Sequence, residues 1–169
     1  MRRVLFLALA VFALAGASWG AVTYAVYGNA RYGYSVEYPA FLTPQPEAEN
    51  GDGRRFLSED GNVEMAVWGE QNVFDRSLKQ EYAERLRELE KNGVVPPYRV
   101  LKSAWFVLSW KQGDALVYER TAVSREERAA SAHPAQFATV TLRYPAARKK
   151  SMAPVVTRVS RSLRGPAGR

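Results

Sequence analysis

The sequence has no cysteine and a single histidine, His133. Without cysteine there is no disulfide, thiolate nucleophile, Cys-ligated zinc, iron–sulfur cluster or lipidated N-terminal cysteine. One imidazole excludes any site that draws two from the same chain. His133 lies in a polar stretch directly before Pro134, with no partner motif beside it, and reads as a solvated loop residue. No glycine-rich phosphate loop with a following Lys-Ser/Thr is present. Ser58, Ser109 and Ser160 lack the Gly-x-Ser-x-Gly context of a nucleophile elbow. Twelve Gly and nine Pro are too few for a low-complexity chain. There is no internal repeat. A length of 169 residues allows one domain, and 47% hydrophobic with 24% charged residues is ordinary globular composition.

What is there begins with an address. Arg2 and Arg3 precede an unbroken apolar run from Val4 to Ala15, and Ala15-Gly16-Ala17 supplies the small residues a signal peptidase needs. Twelve apolar residues fall short of the ~20 that span a bilayer. Residues 1–17 are therefore expected to be a signal peptide, with Ser18-Trp19-Gly20 as a later cleavage site. The alternative is an uncleaved N-terminal membrane anchor, lengthened by residues 20–27. Cleavage would remove two of the seven net positive charges, leaving +5. The expected location is periplasmic or secreted, with a mature form that does not span the membrane. Export, and the lack of a stacking motif beside the basic residues, argue against nucleic acid despite a pI of 9.8.

Residues 22–164 form the expected single domain, followed by a disordered tail at 165–169. Tyr34, Val36 and Tyr38 alternate with Ser35 and Glu37, which is a half-buried strand, with turns at Gly28-Asn29 and Gly33 before it and Pro39 stopping it. Residues 40–53, with Pro44, Pro46, Asn50-Gly51 and Asp52-Gly53, read as an extended loop. Strands follow at 54–57 and 62–68 around a turn at 58–61. Ser77 and Gln80 make a capping box, and Leu78, Tyr82, Leu86 and Leu89 share one face of a helix over 77–92. Gly93 and Pro96-Pro97 end it. Further strands are expected at 98–103, 104–111, 114–123 and 135–144, with an exposed loop at 124–134. In the final segment Pro154 predicts a break: a short turn or helix to Met152, then a helix from about Ala153. Strands, a helix, strands and a helix, joined by hairpin-length gaps, give an α+β fold: a mostly antiparallel sheet with helices packed on it.

Three stretches carry a resemblance. They are the aromatic strand Arg31–Pro39 ending in Tyr-Pro, the run Ala104–Trp110, and a closing amphipathic helix ending Val159-Ser-Arg-Ser-Leu163. Together they resemble the PsbP-like superfamily over nearly all of residues 27–164. Glu49–Arg54, then Phe56 and Asp60-Gly61, resembles a recurring loop of its exported bacterial members. The resemblance implies an α/β/α sandwich around an antiparallel sheet and a non-enzymatic binding or assembly role. Plant members serve photosystem II and the Mog type serves nuclear transport, so no specific function transfers. The His-containing metal residues of plant members have no counterpart here.

Candidate sites are few. Glu47, Glu49, Asn50, Asp52, Glu59 and Asp60 gather oxygen donors in a short span. An EF-hand template puts Gly53 sixth and Glu59 twelfth, but places Ala48 at the first ligand position, and Arg54 and Arg55 oppose a cation. The span therefore reads as a turn-rich loop, and neither metal nor cofactor is assigned. The acids fall mostly on the exposed helix face and in loops, which gives little support to a hydrolytic carboxylate pair. Tyr24, Tyr27, Tyr32, Tyr34, Tyr38, Trp68, Trp105, Phe106 and Trp110 read as core and sheet face. Trp105 and Trp110 differ in parity, so burying both requires helices on both faces. Arg143, Arg148, Lys149, Lys150, Arg158, Arg161, Arg164 and Arg169 concentrate charge at the C-terminal end, read chiefly as favourable charge near helix C-termini.

The expectation is an exported, monomeric, non-enzymatic protein that binds a partner protein in the cell envelope. Its candidate contact residues are Glu49, Asn50, Asp52, Arg54, Arg55, Lys149 and Lys150, with loop 124–134 as a second region. The alternatives are a small-molecule, glycan or metal carrier and, behind it, a carboxylate-dependent hydrolase, for which a buried acid pair in a cleft would be the mark.

Overall fold

The computed structural model describes residues 22–123 and 136–165. Residues 1–21, where a signal peptide is expected, His133, loop 124–134 and residues 166–169 of the tail lie outside the described residues. Nine strands and two helices follow in order: β1 (Tyr24–Asn29), β2 (Tyr34–Pro39), β3 (Leu42–Glu47), β4 (Gly53–Ser58), β5 (Glu64–Gln71), α1 (Leu78–Lys91), β6 (Tyr98–Leu101), β7 (Trp105–Gln112), β8 (Ala115–Ala122), β9 (Gln136–Pro145) and α2 (Lys149–Ser162). A short 3-10 turn, Ala146–Arg148, leads into α2.

Seven strands make one antiparallel sheet in the order β3-β4-β5-β9-β8-β7-β6, and β1 and β2 make a separate hairpin. Strand alternation sends two sets of side chains to opposite faces. On one face, Phe106, Leu108, Trp110, Val117 and Phe137 meet Leu78, Tyr82, Leu86 and Leu89 of α1. On the other, Met65, Val67, Ala138, Val140, Leu142 and Tyr144 meet the β1–β2 hairpin and Met152, Val155, Val156 and Val159 of α2. This is the expected α+β sandwich with helices on both faces. Trp110 is buried under α1, and Trp105, of the other parity, is half-buried between the two clusters under the Arg120 guanidinium.

The N-terminus of α1 forms as the sequence predicts. Ser77 Oγ accepts from the Gln80 amide, and Gln80 Oε1 accepts from the Ser77 amide. Three expectations are corrected. Residues 24–29 are a strand, with Gly28 and Asn29 inside it, because Ala25 to Asn29 pair with the residues opposite in β2 and Tyr27 drops into the core. The proposed loop 40–53 contains β3, whose Pro44 and Pro46 are tolerated because β3 is an edge strand with a register shift between Pro44 and Glu47. The last helix is not broken at Met152: α2 runs through Pro154, which sits on its exposed side. The carbonyl that Pro154 fails to satisfy belongs to Lys150, an exposed residue, while buried Met152 and Val155 hold the backbone on the sheet.

Candidate functional site

Register sets the floor of a cleft under α1. Trp68 pairs with Thr139, Thr139 with Thr121 and Thr121 with Phe106, so these four form one row across β5, β9, β8 and β7 on the α1 face. The Thr121 and Thr139 hydroxyls join at 2.9 Å. Glu70 lies beyond this row on one side and Glu119 on the other, two strands apart. α1 forms the wall with Glu81, Glu84, Arg85 and Glu88, and residues 71–76 form the lip. The volume of the cleft is about 360 Å³.

The lip is a tight turn. Asn72 donates from Nδ2 to the Arg76 carbonyl at 2.7 Å and accepts the Arg76 amide at 2.9 Å. Asp75 takes a positive φ of 50°, a conformation Asp tolerates better than most residues. The turn pushes Val73 and Phe74 outward, at 77% and 72% exposure. The Arg76 guanidinium lies 4.5 Å from the Phe74 ring centre.

Five carboxylates and two guanidiniums line the cleft, in a chain whose net charge is +7. Arg85 holds both oxygens of buried Glu119 at 2.8 Å and reaches Glu88 at 3.0 Å. Arg76 pairs with Glu81 at 3.0 Å, and Glu84 accepts from Arg87. Glu70 makes no ion pair and no side-chain hydrogen bond among the described residues. Burial raises its carboxyl above the ordinary range, as do the negative charges of Glu81 and Glu88, while Arg76 pulls the other way. A buried acid pair for hydrolysis would need two free carboxyls facing one another. Glu119 is instead clamped through both oxygens and separated from Glu70 by the threonine row, so these two carboxyls do not form such a pair.

The acidic span named from sequence is tied to the sheet through its backbone, with Glu47, Glu49 and Asn50 exposed. The Asp52 carbonyl accepts from the Tyr34 hydroxyl at 2.8 Å and from the Gly69 amide at 2.9 Å. Asn29, itself buried, donates to the Gly51 carbonyl at 3.0 Å, and Arg31 donates to the Asn50 carbonyl. Asn50 donates to the Asp52 carboxylate at 2.7 Å, and Glu47 accepts from the Tyr27 hydroxyl at 2.5 Å. Asp60 belongs to a different cluster, accepting from Ser58 and Arg148. Among the described residues no group of three or more acids, His or Cys is placed to hold a metal. Glu49 is exposed. Arg54 faces Glu47 at 3.9 Å, and Arg55 pairs with Glu64 at 2.8 Å. Arg54 and Arg55, with Asp52, line a shallow hollow of about 190 Å³ that shares Trp68 with the α1 cleft.

Lys149 and Lys150 are exposed at the N-terminus of α2, not near a C-terminus. That corrects their reading as favourable helix charge, since the macrodipole disfavours cations there. Beside them lies a mainly apolar groove of about 500 Å³, lined by Val22, Phe41, Val63, Arg148, Met152 and Val155 among others. Sequence reasoning missed Val73, Phe74 and Glu70. Two signals were available: a Val-Phe pair stranded in the polar stretch 70–77, and Glu119 falling in phase with buried Ala115, Val117 and Thr121.

Among the described residues no helix is long and apolar enough to cross a membrane. No family model and no curated protein matches this sequence. Among solved structures, the chain is similar to the solution structure of cyanobacterial PsbP (CyanoP) from Synechocystis sp. PCC 6803. The match has a TM-score of 0.60 at 10% identity and covers 88% of this chain and 95% of that one. At that identity the likeness establishes a PsbP-like fold and nothing finer.

Proposed function

We propose that this chain is an exported, non-enzymatic accessory protein that docks a protein partner in the cell envelope. The observation that carries the reading is the lip of the α1 cleft. Val73 and Phe74 are the two most exposed large hydrophobic side chains among the described residues, and they sit side by side on a pinned turn. Water-exposed apolar surface held rigidly at the edge of a concavity is what a partner covers. The candidate residues Asp52 and Arg55 adjoin the same face through Trp68 and extend the contact, while Arg54 turns to the Tyr27 ring on the opposite face. Lys149 and Lys150 mark a second surface at the start of α2. The signal segment supplies the route to the envelope.

In-cell photo-cross-linking tests this. A photoreactive residue at position 74 is expected to capture a protein, and one at exposed Lys111 is expected to capture none. Loss of every adduct at position 74 and at position 41, in the α2 groove, overturns the docking reading. The mass of the exported protein is expected to begin at Ser18; a retained residue 1 supports the anchor instead.

The volume of the cleft favours one alternative, a small-molecule or glycan carrier. Native mass spectrometry separates the two. A retained ligand mass supports the carrier, and a bare chain supports docking.

A further inference from the structure

We infer that the α1 cleft receives a lysine or arginine side chain of the partner, presented beside an apolar residue that covers Val73 and Phe74. This rests on the docking reading above and adds the chemistry of the contact. The first ground is charge complementarity: five carboxylates against two guanidiniums line a concavity in an otherwise basic chain. The second is which carboxylate remains available. Glu81, Glu84, Glu88 and Glu119 each have an arginine partner, whereas Glu70 has none among the described residues. Glu70 is half-buried at the end of β5, immediately before the lip.

The third ground is shape. The lip brings an aromatic ring and a β-branched side chain into the same concavity as the acidic wall, so a basic side chain can lay its methylene stem along Phe74 while its head enters the cleft. Arg76, stacked on Phe74 and paired with Glu81, already makes this combination within the chain. A small inorganic cation fits worse, since it would leave Val73 and Phe74 uncovered. An acidic segment is repelled by the net negative lining.

The test uses the full chain and two fluorescently labelled, end-blocked peptides. One has a central arginine flanked by leucines, and the other has glutamate in its place. Binding is read by anisotropy at low and high salt. The arginine peptide is expected to bind at least about tenfold more tightly, with the preference shrinking as salt rises. Glu70→Gln and Phe74→Ser are each expected to weaken it about fivefold, and Glu59→Gln to leave it unchanged. Equal affinity of the two peptides, no binding by either, or an unaltered affinity in Glu70→Gln overturns the inference. Its failure is distinct from failure of the docking reading. A partner cross-linked at position 74 through a segment lacking lysine and arginine keeps the docking and removes the basic anchor. No adduct at positions 74 and 41 removes both.

Discussion

Arg85 grips Glu119 through two parallel hydrogen bonds, Nε to Oε1 and Nη2 to Oε2, each 2.8 Å long. The carboxylate is 1% exposed, on the middle of β8, and the guanidinium reaches it from α1. The pair ties helix to sheet at the back of the cleft. Arg85 is held firmly protonated, first by its hydrogen bonds to Glu119. Removing the arginine strands a buried negative charge, which typically costs more than the pair contributes when intact.

Arg85→Ala is therefore expected to destabilise the fold by about 3 kcal/mol. The double change Arg85→Met with Glu119→Gln is expected to recover more than half of the loss. Urea unfolding of the two variants measures both effects. An Arg85→Ala protein as stable as the parent would show that water reaches Glu119 freely.

Glu70 gives a pH signature. Its carboxyl titrates above the ordinary value because of burial, then Glu81 and Glu88 of α1, with Arg76 of the lip opposing and Glu119 of β8 adding. A raised folded pKa means that the native state binds the proton more tightly than the unfolded chain. Stability therefore falls as pH rises from the ordinary carboxylate value of about 4.3 through the folded one. Glu70→Gln is expected to melt higher than the parent at pH 7, and the difference is expected to vanish below about pH 4. Thermal melts across pH check this, and a Gln variant that melts lower at pH 7 contradicts it.

Gly53 opens β4 against Trp68 of β5. A Cβ there would collide with the Val67 carbonyl oxygen and come within 2.8 Å of the Trp68 Cα, both backbone atoms that cannot step aside. Gly53→Ala is expected to cost about 1–3 kcal/mol. Gly28→Ala is the control. It also sits in a strand, but nothing lies within 4 Å of its Cβ position, and the expected change is about zero or slightly stabilising. Denaturation midpoints of the two variants make the comparison.

Phe56 on β4 is fully buried against Tyr27 and Tyr38, with ring centres 5.7 and 4.5 Å away. It fastens the β1–β2 hairpin to the main sheet. Phe56→Ala is expected to lose about 3–5 kcal/mol and to loosen the hairpin first. Amide exchange should show protection lost earlier over residues 24–39 than over β8 and β9; uniform loss would place the weak point elsewhere.

Elements whose local pattern and tertiary role agree are visible along the chain. Tyr34, Val36 and Tyr38 alternate because one face of β2 meets the core, and the Ser77–Gln80 box caps α1 because both partners lie within one turn. The hairpin turns at Gly61 and Gly113 fall where positive φ is needed, and the order of elements suffices for the α+β class. The missed elements depend on neighbours. β1 shows little alternation of its own and is a strand because β2 lies beside it. β3 carries two prolines and survives because its outer side needs no partner.

The sequence by itself determined the exclusions, the export signal as an expectation, the strand and helix count to within two strands, and the general sandwich. It did so because those properties reside in composition and in patterns a few residues long. Only the tertiary structure decided that Glu119 is buried and clamped while Glu70 makes no ion pair among the described residues. Only it turned Val73 and Phe74 outward, tied the backbone of the 49–53 turn to Tyr34, Asn29 and Gly69, and carried α2 across Pro154. Each of these depends on which strand lies beside which. Burial and charge pairing are properties of distance in space, and residues 34 positions apart such as Arg85 and Glu119 become neighbours only when α1 closes over the sheet.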